Sequence, residues 1–248
     1  MPRLIPSRLV AACALAFVLV LSSAAVAVAK GPAADLRVVN SSGKALAEES
    51  FGAGTASIKT SPQATCFGAG TGGSGATVTI NGPTALGMLI QASKFTKALK
   101  PVQISDAFDF GLALCGVGGF AAHGKGSWYL KVNHKNPEIS GDAVKLHAGD
   151  EVLWYLAPSF PYPDELALSA PDEVMSGQPF QVRVFSYDDK GKKKPAAGVT
   201  VAGATSPTGA DGRTTVELTK PTRLIARHGK DIPSNGEPVC VGGKCPKG

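Results

Sequence analysis

Hydrophobic and polar positions alternate most regularly between Ser127 and Pro158. In the first half of that stretch Trp128, Leu130 and Val132 fall on one face, and Tyr129, Lys131 and Asn133 on the other. In the second half Val152, Trp154 and Leu156 share a face opposite Leu153 and Tyr155. A period of two is the mark of a strand, because successive side chains leave a pleated backbone on opposite sides. A shorter strand over 143–147 fits between the two, and Gly149-Asp150 turns the chain. The pattern predicts a small antiparallel sheet whose tryptophan face is core.

Upstream, Leu36–Val39, Ala56–Lys59 and Ala76–Ile80 read as strands. One helix is predicted from Ala85 to about Lys97. Thr84 can cap it, Leu86, Leu89, Ile90 and Phe95 make an apolar stripe with Met88 and Ala92 at its margin, and Pro101 closes the segment. Gly87 inside it costs roughly 1 kcal/mol relative to Ala unless something packs closely there. Phe108 and Phe110 alternate with Asp109, which predicts extended chain. A helix with one apolar stripe beside strands with one apolar face packs across their sheet.

Pro158–Pro163 (PSFPYP) is stiff and turn-prone, and a domain boundary is placed there. Beyond it the pattern is all strand: 165–169, 180–187, 199–202, 214–218 and 223–226, separated by turns at 188–191, 195–198 and 209–212. Short strands at this spacing predict a small antiparallel β-sandwich. Residues 235–248 offer little for a core, and the last seven are read as a tail.

The N-terminus changes the picture from a generic globular chain to an exported one. Arg3 and Arg8, an apolar run from Leu9 to Leu21 and the small-residue site Ala27-Val28-Ala29 form a secretory signal over 1–29. Cys13 lies at the start of the apolar run and leaves with it. Four cysteines then remain, Cys66, Cys115, Cys240 and Cys245. An even number in an exported chain points to disulfides. Three pairings are open, and proximity in sequence favours Cys66–Cys115 and Cys240–Cys245. A zinc site lacks any CxxC pair. The formal charge of +6 falls to about +4 without Arg3 and Arg8, too weak and too scattered for a nucleic-acid footprint. No C-terminal apolar segment offers a stable membrane anchor.

Candidate chemistry is sparse. Gly68–Gly73 matches G-x-G-x-x-G, but a strand follows where a dinucleotide site needs a helix. Gly119–Gly126 lacks the hydroxyl residue of a P-loop. His134, His147 and Asp142 could meet as metal ligands, and Ser127, His123 and Asp106 as a triad. No nucleophile elbow supports the triad. Neither a catalytic residue nor a metal or cofactor is assigned. Asn40 opens both a turn and an N-x-S sequon, and the turn is the reading kept. The aromatic residues say more. If the face opposite the tryptophans is open, Tyr129 and Tyr155, with Lys131 and Asn133 beside them, form an amphipathic ligand platform. If loops cover that face, these residues are core.

The helix PTALGMLIQA, the FDFG segment, SWYLKVNHK and AGDEVLWYLAP together resemble the transcobalamin-like C-terminal domain, also called domain of unknown function 4430. The resemblance covers roughly 35–157. It implies a β-grasp-like fold and non-catalytic ligand binding. Two departures stand out: the helical-barrel partner of the transcobalamins is missing, and Asn133-His134 replaces the usual Asn-Gly. The second part, with PAAGVTVAGATS, TGADGRTTVEL and TRLIARHG, is similar to carboxypeptidase-regulatory or Ig-like β-sandwich modules. The expectation is thus α+β followed by all-β: a β-grasp-like domain over 35–158 with one main helix, a β-sandwich over 163–241 and a tail over 242–248. Its expected role is a secreted or bacterial cell-surface binding protein, cell-wall association included, for a small molecule or surface glycan held by Tyr129, Lys131, Asn133 and Tyr155. A structural or adhesive protein without a small ligand, or a corrinoid binder, is the alternative. No nucleic acid, membrane or cofactor is expected, and oligomeric state is left open.

Overall fold

Both tryptophans point into one core. The computed structural model describes residues 31–247, and the expected signal segment with Cys13 lies outside them. Strands β1 (Ala33–Val39), β2 (Ala45–Gly52), β3 (Ala56–Lys59) and β4 (Thr77–Ile80) precede helix α1 (Ala85–Phe95). Strands β5 (Val102–Ser105), β6 (Ala113–Val117), β7 (Phe120–Ala121), β8 (Ser127–Val132) and β9 (Glu151–Ala157) follow it. The main sheet has the order β2-β1-β9-β8, with β1 and β9 parallel at its centre and antiparallel pairs on either side. Helix α1 lies over its tryptophan face, where Leu86, Met88 and Leu89 join Leu36, Val38, Trp128 and Trp154 in one buried cluster. β3–β4 and β5-β6-β7 are separate small sheets.

The helix starts where its cap predicts, with the Gly87 N–H donating to Thr84 Oγ1 at 3.1 Å. Gly87 is required for space: a Cβ there would lie 2.8 Å from Thr84 Oγ1 and 3.3 Å from the Gly54 carbonyl oxygen. The helix ends earlier than expected, and Phe95 in its last turn is 74% exposed rather than part of the stripe. Residues 143–147 form no strand. Their carbonyls and amides are taken by the start of α1, with Ala85 N–H donating to Val144 O and Leu146 N–H to Pro83 O. Val144 and Leu146 are still buried, so their alternation reports burial without a ladder. The FDFG segment is a turn closed by Gly111 N–H to Phe108 O, not extended chain. Strand β2 carries too few apolar positions to announce itself, and pairing with β1 alone defines it.

From residue 165 the chain is entirely strand and turn. β10 (Glu165–Ser169), β11 (Glu173–Val174), β12 (Phe180–Tyr187), β13 (Lys193–Pro195) and β14 (Thr200–Val201) lead to β15 (Arg213–Val216), β16 (Thr222–Leu224), β17 (Ala226–Arg227) and β18 (Glu237–Val241). One sheet runs β10-β12-β13 with β15 also on β12, a second runs β11-β18-β16, and β14 pairs with β17. Their inner faces enclose a second cluster that includes Leu166, Val184, Val199 and Leu224. Residues 235–241 correct the expectation of a coreless tail: Val239 and Val241 of β18 are buried in that cluster. Disulfides join Cys66 to Cys115 and Cys240 to Cys245. Among the described residues no helix is long and apolar enough to cross a membrane.

Candidate functional site

The face opposite the tryptophans is covered, and by neither α1 nor loops of its own module. Tyr129, Leu153 and Tyr155 cluster with Val39, Ala157 and Ile232, the last from the second module. Tyr162, in the connecting segment, stacks on Tyr129 with ring centroids 4.0 Å apart. The Tyr129 hydroxyl donates to Asp189 Oδ1 at 2.5 Å. Burial, with the Asp189 carboxylate beside it, raises the Tyr129 phenol above its ordinary range, and burial alone raises that of Tyr155. Three of the four expected ligand residues, Tyr129, Lys131 and Tyr155, therefore meet the second module instead of solvent. Asn133 stays exposed, but its side chain is engaged with Asp150 and the Glu151 N–H.

Lys131 is the most consequential of them. It is 0% exposed, and its ammonium donates to the Tyr187 and Asp188 carbonyls at 3.1 Å each. Glu165, the first residue of β10, is buried too and lies against Arg37, against His134 Nδ1 at 3.2 Å and 3.8 Å from Lys131 Nζ. Burial pushes the Lys131 ammonium below its ordinary value, and the surrounding Glu165, Asp189, Asp164 and Asp188 recover only part of that. For Glu165, burial alone would raise the carboxyl, but His134, Arg37 and Lys131 more than offset it and hold it low. Removing a charge from the sea of water around it is costly, and only such partners make it tolerable.

His134 completes the group through an unusual backbone. Asn133 and His134 have φ of 51° and 67°, and Val132 and Lys135 exchange both backbone hydrogen bonds around them. This is the tight turn that Asn-Gly normally supplies. A histidine in left-handed conformation costs about 1 kcal/mol or more. Its ring stacks on Tyr187 at 3.8 Å and faces Glu151 as well as Glu165. The departure from Asn-Gly keeps the turn and adds a contact between modules.

A depressed carboxyl stabilises the fold fully above its unfolded value and ceases to do so as pH falls through its folded one. Melting of the protein and of Glu165→Gln, compared from pH 7 downward, should therefore show the wild-type advantage shrinking below about pH 4.5, the ordinary value for this side chain. A difference constant down to pH 3 would contradict the ionised, paired carboxylate.

The remaining candidates do not assemble. His147 pairs with Asp150, while Asp142 accepts from the Leu112 N–H, so neither approaches His134. Ser127 Oγ lies 3.2 Å from the Tyr162 hydroxyl, His123 Nδ1 lies 3.0 Å from Ala121 O, and Asp106 accepts from Ser74. Those Ser74 bonds hold the Asp106 carboxyl below its ordinary range. Asn40 is buried, its Oδ1 accepting from the Ser42 and Lys44 N–H groups as a turn requires. Among the described residues no group of three or more metal-ligating side chains converges.

A groove on the first module was not foreseen. Its volume is about 520 Å³. One wall carries Phe67 and Phe110, which are 54% and 58% exposed, and the other runs from Asn136 to Gly141 with Ile139, also 58% exposed. Phe108 bridges the first wall, edge-on to Phe67 at 5.3 Å and stacked on Phe110 at 5.0 Å. The Cys66–Cys115 bridge ties the Phe67 loop to β6, so the wall is anchored to the sheet. Trp128, Leu130 and Trp154 form the floor. Gly141 is a space requirement, since a Cβ there would meet the Trp154 ring at 2.6 Å. Glu138 on the second wall has φ of 58° and no ion-pair partner among the described residues.

Compared with known protein families, with characterised proteins and with solved structures, the chain matches none. Function therefore has to be argued from the groove and the seam themselves.

Proposed function

We propose that this is an exported, non-catalytic binding protein, its site the aromatic groove rather than the tyrosine face. The observation that carries the reading is the concentration of Phe67, Phe110 and Ile139 in one concave site. Single exposed apolar side chains are ordinary, but three large ones rimming a cavity of ligand size mark a recognition surface. The two disulfides agree with an extracellular setting, and the signal-like N-terminus supplies the route. The order β2-β1-β9-β8, its parallel central pair and the single covering helix support a β-grasp-like first domain. That in turn supports the likeness to the transcobalamin-like C-terminal domain. The second domain then serves as a sandwich that seals the back of the sheet and leaves the groove free.

The test compares the chain with a Phe67→Ala/Phe110→Ala double variant against soluble glycans, a metabolite set, cobalamin and linear peptides. Both rings are largely exposed, so the variant should keep its fold, with a melting temperature within a few degrees. At least one ligand should bind the wild type and lose tenfold or more in affinity with the variant. Ligands held equally by both proteins would move the site elsewhere.

A further inference from the structure

The larger sheet of the second module carries cations on its outer face. In β12 Val182, Val184 and Ser186 are buried, so by alternation Gln181, Arg183, Phe185 and Tyr187 stand on the other side. β15 places Arg213 directly opposite Arg183, and β13 places Lys193 directly opposite Tyr187. All three cations therefore share the outer face. Phe185 lies among them, with the Arg183 guanidinium 4.6 Å and the Lys193 ammonium 3.9 Å from its ring centre. Arg183 Nε donates to the Asp211 carbonyl at 3.3 Å, and Arg213 Nη1 donates to Gln181 Oε1 at 3.0 Å. Among the described residues the only ion pair any of the three makes is Arg213 with Asp211, at 3.7 Å and 62% exposed on the acid side. Lys190 and Lys192, in the adjoining turn, are exposed as well.

We propose that this face is a docking surface for an extended anionic polymer, one that carries carboxylate or phosphate groups at intervals along its chain. Like charges directly opposite one another on a sheet work against its folding, so the Arg183 and Arg213 pair calls for a reason. Guarding a sheet edge explains lysines on β13, an edge strand. It does not explain Arg183, which sits on the central strand between β10 and β15. A ring beneath a cation holds it in place, so Phe185 orders two of the three before any partner arrives. Each arginine uses only part of its five-donor fork in the bonds above, and the remainder suits the paired oxygens of a carboxylate or phosphate. None of these side chains lines the groove or the two cavities at the seam, so nothing there encloses a compact anion. Spaced charges on an open face match a chain lying across it. A membrane surface calls for apolar side chains to insert beside the cations, and single-stranded nucleic acid for open rings to stack on. Here the central ring is half-buried under two cations. The surface is separate from the groove and does not rest on it: the second domain holds the protein to a polymer while the first takes its ligand.

The experiment measures binding of the full chain to polygalacturonate, to poly(glycerol phosphate), to neutral dextran and to phosphatidylglycerol vesicles over a range of salt. It compares the wild type with an Arg183→Gln/Arg213→Gln/Lys193→Gln variant. A charge-matched control, Lys44→Gln/Lys59→Gln/Lys97→Gln, removes three exposed cations of the first module. At least one polyanion should bind the wild type tenfold or more tighter than dextran, and should weaken as salt rises. The sheet-face variant should lose tenfold or more in that affinity, and the control should stay within threefold. Arg213→Gln alone, at a side chain 48% exposed and so without risk to folding, should already cost threefold. Binding of one polyanion and not the other supports the surface and names the anion it reads. Equal losses in the sheet-face variant and the control would reduce the effect to net charge and overturn the proposal. Dextran held as tightly as either polyanion, or capture by the vesicles alone, would overturn it too.

Discussion

Glu165→Ala should destabilise the protein by roughly 3–5 kcal/mol, the cost of breaking a buried ion pair from one side. The size comes from what is left behind. Lys131 is fully buried, and Arg37 is nearly so. With the carboxylate gone, Arg37 and Lys131 keep the Pro233, Tyr187 and Asp188 carbonyls and His134 keeps Glu151, but among the described residues neither buried cation retains a carboxylate in direct contact. For a chain of this size a loss of that order lowers the melting temperature by roughly 6–20 °C. Thermal unfolding followed by circular dichroism would measure it. Lys131→Met should cost less, because Glu165 keeps Arg37 and His134 while the apolar stem still fills its space. If the two variants lose equal stability, or Glu165→Ala loses under 1 kcal/mol, the group is a set of weak pairs and does not hold the modules together.

The second large effect belongs to the Cys66–Cys115 bridge. It spans 49 residues, and releasing that loop in the unfolded chain is worth about 4 kcal/mol from entropy alone. A Cys66→Ala/Cys115→Ala variant should lose 2–5 kcal/mol in a denaturant titration. It should also lose groove binding out of proportion to that loss. Both sulfurs are buried beside Ala64, Ala113 and Phe108, so the bridge is the fastening of the Phe67 wall. Removing Cys240–Cys245, which closes only five residues, should cost less. A variant lacking Cys66 and Cys115 with unchanged groove affinity would show that Phe108 and its neighbours hold the wall unaided.

Much of this fold could be read from residues alone. Thr84, the Leu86–Leu89 spacing and Pro101 place the helix to within two residues at its end, and the alternation of 127–132 and 151–157 places the two tryptophan strands. Alternation defines two faces, however, and says nothing of what comes to lie on each. Tyr129, Lys131 and Tyr155 read as an outward surface because their cover, from Tyr162 and Glu165 onward, lies in and beyond a proline-rich connection. A lysine two residues after a tyrosine on one strand face is equally the pattern of a buried cation with a distant carboxylate, and sequence cannot tell the two apart. The groove was hidden for a different reason. Phe108 and Phe110 share a period of two, which reads as strand although the chain there turns. Phe67 stands in a glycine-rich loop without any period. The one local sign was a phenylalanine next to a cysteine in such a loop. Strand β18 does not announce itself because Glu237 and Pro238 precede its apolar residues, Val239 and Val241, and Gly242, Gly243 and Lys244 follow them.

The ammonium of Lys131 also bears on how such modules are exchanged between proteins. Transplanting the first domain onto a different companion would strand a cation in oil unless the newcomer brought a carboxylate to the same spot. A graft at the proline-rich joint should therefore fold only with a companion that carries an acid at the start of its first strand, as Glu165 does here.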